Sequence, residues 1–224
     1  MLFYRVIKRL FDICASGIAL IVLSPIWLIA IIGIEVSDPG PVFYMAKRVG
    51  KDNKVFRMFK FRSMKIDKST NEKSLRPDVD RIFFWGKVMR DTKIDELPQL
   101  LNVFNGDMSV IGPRPAAFEQ VDITRTGENA VVANLVPGLS GPSALYDYIY
   151  GDQFEKEGEY NQKVLPTRLK LDLYYLTARS FRYDIKMIWF TVVCVIYRVA
   201  KKEPKKIYDE LVETTKISET VDNT

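Results

Sequence analysis

Residues 13–34 run between Asp12 and Glu35 without one charged side chain. As a straight helix they would reach roughly 33 Å, about the thickness of a hydrocarbon core. Ahead of them, Arg5, Lys8 and Arg9 stand among Leu2, Phe3, Val6, Ile7, Leu10 and Phe11, the pattern of a basic amphipathic helix at a headgroup surface. Ser24-Pro25 interrupts the apolar block. Proline removes a backbone donor and bends the helix, and a neighbouring serine can bond a freed carbonyl. Basic residues flank both ends: Arg5, Lys8 and Arg9 before, then Lys47, Arg48, Lys51, Lys54, Arg57, Lys60 and Arg62 after. A simple span would place one basic flank outside, whereas a helix that breaks at Ser24-Pro25 and returns keeps both on one face. The residues alone leave a kinked span and a re-entrant hairpin equally open. A cleaved signal peptide fits poorly, because the block is long and lacks a clean small-x-small site before Glu35.

Beyond the block, Ser37-Asp38-Pro39-Gly40-Pro41 is a turn-rich exit, and short β-like runs at 42–44 and 55–61 predict a hairpin around Gly50-Lys51-Asp52-Asn53. Residues 64–80 are polar and predict a surface loop with a short helix. Residues 82–89 read as helix, as do 98–104, whose start is marked by Pro98 and whose end by Asn105-Gly106. Gly106 to Pro142 is punctuated by glycine and proline and predicts a series of tight turns. Helical spacing returns over 167–183, and 185–199 forms an apolar helix. Trp189, Tyr197 and the following Lys201, Lys202, Lys205 and Lys206 suit that helix to a membrane interface. The chain past about Glu213 is expected to fray. The fold class is thus α+β and mainly helical, with an N-terminal helix-break-helix, interfacial amphipathic helices and a small β-hairpin. It divides into a membrane segment (1–36), a catalytic domain (37–206) and a polar tail (207–224).

The chain has 224 residues, enough for one domain with a core. Histidine is absent, which excludes imidazole-based triads, histidine-ligated zinc and histidine proton shuttles. Cys14 and Cys194 lie in apolar runs without metal or disulfide spacing, as in a reducing, cytoplasm-facing protein. Lys and Arg outnumber Asp and Glu by 33 to 28, so anionic partners are favoured. Nucleic acid is a poor candidate, because the basic residues accompany a membrane insert and no recognised nucleic-acid motif is present.

The sharpest chemical signal is Asp95-Glu96-Leu97-Pro98-Gln99-Leu100, two carboxylates ahead of a proline-started helix. Helix capping is the ordinary role of such a pair. Here, however, Arg81, Lys87, Arg90, Lys93 and Arg114 crowd the neighbouring sequence, and carboxylates, a divalent cation and arginines are the equipment of phosphoryl transfer. Prolines on both sides of Arg114 in Gly112-Pro113-Arg114-Pro115 limit its backbone freedom, suiting it to bidentate phosphate binding. In Phe59-Lys60-Phe61-Arg62-Ser63-Met64, a strand would put Lys60 and Arg62 on one face. The competing reading is a non-catalytic scaffold at the membrane that binds acidic lipid or a partner enzyme.

These stretches, with Lys8-Arg9-Leu10-Phe11-Asp12, Asp38-Pro39-Gly40-Pro41-Val42-Phe43, Gly106-Asp107-Met108-Ser109 and Pro137-Gly138, follow one another in an order that resembles the bacterial sugar transferases, or monotopic phosphoglycosyl transferases, in their minimal catalytic form. The resemblance implies an enzyme of the bacterial cytoplasmic membrane, facing the cytoplasm. It would move a sugar 1-phosphate from a nucleoside diphosphate sugar, usually a UDP-sugar, to undecaprenyl phosphate with release of UMP. This is the opening step of capsule, exopolysaccharide, O-antigen or glycoprotein glycan assembly. The resemblance also implies a re-entrant N-terminal helix, a Mg²⁺ cofactor held at Asp95, Asp95 as a nucleophile forming a covalent phosphosugar, and Glu96 as its partner. Lys60, Arg62, Arg90 and Arg114 are the candidates for phosphate binding; membrane lipid is a partner, and a homodimer stays open. The chain departs from the family pattern at Ala46, where many members have glutamine, and at Pro142-Ser143-Ala144, where many have Trp-x-Gln.

Overall fold

A computed structural model describes residues 2–66, 79–154 and 157–221. Helix α1 (Leu2–Val22) joins the amphipathic start and the apolar block without a break. Helix α2 (Ser24–Ser37) follows, with Pro25 in its first turn. The pair is bent by 58°, and the Ser24 hydroxyl donates to the Ile21 carbonyl at 2.8 Å, so the break falls at Ser24 and Pro25. Among the described residues no single helix is long and apolar enough to cross a membrane, though the bent pair together is.

Strands β1 (Phe43–Val49) and β2 (Val55–Phe61) form the expected antiparallel hairpin, in register from Phe43 opposite Phe61 to Val49 opposite Val55. The first strand is longer than its sequence suggested, because charged Lys47 and Arg48 pair within it. The polar run expected to loop over 64–80 lies largely outside the described residues. Helix α3 (Phe84–Asp91) matches the expected helix there, and α4 (Gln99–Asn105) ends at Gly106, whose φ of 98° is the left-handed geometry glycine adopts freely.

The stretch expected to be a run of turns holds more order. Strand β3 (Ser109–Ile111), strand β4 (Ala116–Ala117), the short helix α5 (Val121–Thr124) and strand β5 (Gly138–Ser140) all lie in it. Strand β4 extends the hairpin sheet beside β1, and β3 pairs with β5 in parallel, Ser109 opposite Gly138. A side chain at Gly112 would meet the Val136 carbonyl at 2.6 Å, so this close pairing needs glycine there.

Helices α6 (Pro142–Ile149), α7 (Glu157–Lys163), α8 (Leu165–Ala178), α9 (Phe181–Val199) and α10 (Lys205–Val221) complete the chain. The helix expected over 167–183 is divided, because Ser180 accepts a bond from the Tyr183 amide at 3.2 Å and caps a new helix. The expected fraying past Glu213 does not occur: α10 continues to Val221, anchored by Ile207 and Leu211 in a core with Leu171, Tyr175 and Met187.

The N-terminal helices are also structural supports. Asp12 is buried and accepts bonds from the Val110 amide (2.9 Å) and the Ser109 hydroxyl (3.1 Å). Arg9 donates to the Val103 and Phe104 carbonyls, both at 2.7 Å, a cation at the open C-terminal end of α4. Ala30 and Ile34 of α2 pack with Phe61, Phe83 and Met89. Between α4 and β2, Val103 packs with Met58, and one side-chain amide supplies the hydrogen bonds. Asn102, fully buried, accepts from the Phe59 N–H at 2.9 Å and donates to the Arg57 carbonyl at 2.8 Å.

Asn102→Ala leaves both backbone groups without these bonds and should cost about 2–3 kcal/mol. Thermal unfolding in detergent should show a midpoint lowered by about 5–10 °C; an unchanged midpoint would mean that this amide does not join the hairpin to α4.

Candidate active site

Asp95 and Glu96 lie in a single 3₁₀ turn (Ile94–Glu96) between α3 and α4. The chain enters it through Lys93, whose φ of 60° and ψ of 15° reverse its direction after α3. The capping role is not what is found: α4 begins at Pro98 without any side-chain cap bond, and the buried Asp95 Oδ1 has no hydrogen-bond partner. Glu96 Oε1 is 2.8 Å from Lys60 Nζ and 3.9 Å from Lys93 Nζ.

The two carboxyls are driven apart electrostatically. Burial raises the Asp95 pKa, and the negative charge of Glu96 adds to this, while Lys60, Lys93 and Arg90 pull against it. Burial would raise Glu96 too, but Lys60 foremost, with Lys93 and Arg114, holds its carboxyl well below the usual range. The turn therefore presents a firmly ionised acid beside one whose charge is poorly solvated, inside a field of cations.

Lys60, Arg90 and Arg114, expected at the site, act on the dyad as charges. Arg62 does not join them. Strand β2 ends at Phe61, so the expected alternation stops one residue early; the Arg62 guanidinium turns to Asp38 and donates to the Pro41 carbonyl at 2.6 Å. It is a buried clasp on the exit from α2. Arg114 Nη2 is 3.2 Å from Asp147 Oδ2, and the Arg114 backbone N–H donates to Ser143 Oγ at 3.3 Å and Asp172 Oδ1 at 3.2 Å. Ser143, one of the departures from the family pattern, also donates to Asp172 at 2.5 Å. The Ala46 departure is a packing position, buried with Met58, Val103 and Met108.

Three arginines were not among the candidate site residues. Arg48 on β1, Arg168 on α8 and Arg125 each keep a buried guanidinium nitrogen without a hydrogen-bond partner. Burial, then the charge of Arg114, disfavours protonated Arg48, and Arg168 adds to this. Arg168 donates to the Tyr160 hydroxyl at 2.7 Å, which donates to Asp147 at 2.6 Å. These arginines act as charges on one another, on Arg114 and on Asp147 and Asp172, a cationic cluster suited to an anion with several oxygens. Only the spacing of Arg168 and Asp172, four apart on one helix face, hinted at any of this.

The carboxylates are also a fit for Mg²⁺. Among the described residues no group of three or more His, Cys, Asp or Glu could form a protein cage. Two adjacent carboxylates with an unpartnered buried oxygen suit an ion that shares its shell with water and substrate phosphates, as magnesium does.

Over residues 3–198 the chain matches the bacterial sugar transferase family. It belongs to that family. It is 36% identical over 198 residues to the UDP-N-acetylgalactosamine-undecaprenyl-phosphate N-acetylgalactosaminephosphotransferase of Aeromonas hydrophila, covering 86% of this chain and 44% of that protein. It is 33% identical over 199 residues to the UDP-glucose:undecaprenyl-phosphate glucose-1-phosphate transferase of Xanthomonas campestris pv. campestris, covering 87% of this chain and 40% of that one. The exopolysaccharide production protein PSS of Rhizobium leguminosarum bv. phaseoli is 36% identical over 200 residues, covering 86% of this chain and 96% of PSS. The chain thus spans less than half the length of the first two relatives and nearly all of the third.

Asp172 gives the arginine cluster a pH signature. Burial raises its pKa from 3.8 to about 6, against opposing bonds and charges from Ser143, Arg168 and Arg114. The folded state then holds a proton the unfolded chain gives up, so this contribution to stability is full below about pH 4 and is lost as pH rises towards 6, up to about 3 kcal/mol. Asp172→Asn stays neutral and should gain on the wild type in melting temperature between pH 4 and 7. A difference independent of pH would contradict the assignment.

Proposed function

We propose that this family member transfers a sugar 1-phosphate from a UDP-sugar to undecaprenyl phosphate, releasing UMP, and so opens the assembly of an exopolysaccharide or related glycan. The observation that carries the reading is the Asp95 Oδ1 atom, buried, unpartnered and ringed by Lys60, Lys93 and Arg90. The named activities of the relatives supply the substrate class.

In this reading the Asp95 carboxylate attacks the phosphorus that bears the sugar. The bridging P–O bond breaks, and UMP departs with its electron pair. The resulting aspartyl phosphosugar is then attacked at the same phosphorus by a phosphate oxygen of the lipid, which restores the carboxylate. Nucleophile and acceptor oxygen are both already anionic, so no imidazole is needed. The cationic cluster of Arg48, Arg114 and Arg168 receives the diphosphate, and Lys60 keeps Glu96 ionised and in place. When bound, Mg²⁺ supplies charge neutralisation at the diphosphate, with Asp95 and Glu96 the residues that would hold it.

The reading also places the bent α1–α2 pair in the bilayer as a re-entrant hairpin in the cytoplasmic membrane. Its outward residues are apolar, Ile18, Ile21, Leu28 and Ile32 among them, while its inward ones are tied to the catalytic turn's support. Phe181, Ile185, Trp189, Val192, Ile196 and Val199 form an exposed apolar stripe on α9 that would lie at the interface.

Asp95→Asn should lower UMP release from UDP-sugar and undecaprenyl phosphate by about 10³-fold or more. Chelation with EDTA should stop the wild type, and added Mg²⁺ restore it. Undiminished turnover by Asp95→Asn would remove the nucleophile. Single cysteines at the N-terminus and near residue 45, in a background lacking Cys14 and Cys194, should be labelled from the same side of the membrane; opposite sides would exclude the hairpin.

A further inference from the structure

A feature outside the dyad and its arginine cluster lies where the ends of α6 and α9 meet the start of α10. A cleft of about 690 Å³, within the size range of ligand pockets, is walled by Tyr148, Tyr150 and Tyr208 and edged by Arg198, Lys202 and Lys205. A second cleft of about 330 Å³ shares Glu203, Pro204 and Lys205 with it and opens on Trp189, Val193 and Tyr197 of α9. The second cleft therefore opens on the exposed apolar stripe, and the two clefts adjoin along Glu203, Pro204 and Lys205. The other end stops at Tyr148, a buried ring with Lys93 Nζ 4.4 Å from its centroid and Arg198 Cζ 5.4 Å from it. Lys93 is the residue that enters the catalytic turn and faces Glu96 at 3.9 Å.

We propose that these adjoining clefts form a docking groove for the polyprenyl phosphate acceptor, an inference that rests on the transferase reading above. The gradient of chemistry along them matches that molecule: aromatic and aliphatic walls at the stripe for the first isoprene units, then cations for the phosphate, then the wall of the catalytic turn. Arg198, Lys202, Lys205 and Lys206 outnumber Glu203 and Asp209 along the clefts. A phosphate monoester carries more charge than the phosphodiester of a bulk phospholipid, so an excess of cations at the end of an apolar groove favours the acceptor over its surroundings. Lys93 and Arg198 on one tyrosine ring give the groove direct contact with the turn that must receive the phosphate.

The test uses the full chain in phosphatidylethanolamine and phosphatidylglycerol vesicles with a polyprenyl phosphate carrying a diazirine near its phosphate. After irradiation, mass spectrometry should place the adduct within residues 189–208. Lys202→Glu with Lys205→Glu, both exposed positions, should reduce its yield about tenfold, while UMP released in a single turnover with donor alone stays at the wild-type level. Adducts elsewhere, equal labelling of this segment by a diazirine phosphatidylglycerol, or an equal fall in donor-only UMP release would each overturn the groove. Crosslinking needs no transfer. A chain that releases no UMP with any UDP-sugar would therefore refute the transferase reading, while the adduct map still judged the groove.

Discussion

A carboxylate withdrawn from water keeps a usable charge only where cations stand close enough to replace the lost hydration. Asp95 is in that position, and the rest of the site follows from it. Lys60 must reach the turn from the hairpin, Lys93 from the turn's own entry, and Arg90 from the last turn of α3. Lys60 can do so because Asn102 bonds the backbone of β2 on both sides of Met58, at Arg57 and Phe59, which sets the register of the strand against α4. The ion pair between Lys60 and Glu96, with both side chains about four-fifths buried, would be a weak contact at an exposed surface. In this enclosure its effect is to keep one acid of the pair charged and its neighbour short of counter-charge.

The same turn is tied to the N-terminal helices. Arg9 closes the far end of α4, and Asp12 holds the start of the β3 strand that leads to Arg114. Helix α2 packs its Ala30 and Ile34 against Phe61 and Phe83, the strand end and helix start on either side of the site. A segment whose outer face is apolar enough for lipid is thus also the inner support of the chemistry. Loosening it from the body would disturb α4 and the start of β3 together.

Much of this was legible in the chain. The break at Ser24-Pro25 follows from a proline's missing donor, the hairpin from a polar turn between β-like runs, and the dyad from two acids set among many basic residues. The failures share a cause. Arg62 was grouped with Lys60 by strand alternation, but the strand ends at Phe61 and the backbone then turns Arg62 towards Asp38. The strands between Gly106 and Pro142 are too short to show a period, and β3 and β5 exist through their pairing with each other. The helix past Glu213 looks polar in isolation, and Ile207 and Leu211, earlier in the same helix, anchor it in a core with Leu171, Tyr175 and Met187.

What the amino-acid order determined by itself is local: where helices can start and stop, where the chain is apolar enough for lipid, and which acids and bases lie near one another along it. Which of those charges act on one another was decided only by the tertiary structure. Arg48, Arg114 and Arg168 are far apart in the chain and converge because three separate elements pack there. Electrostatic strength depends on distance and burial, which are properties of the folded body.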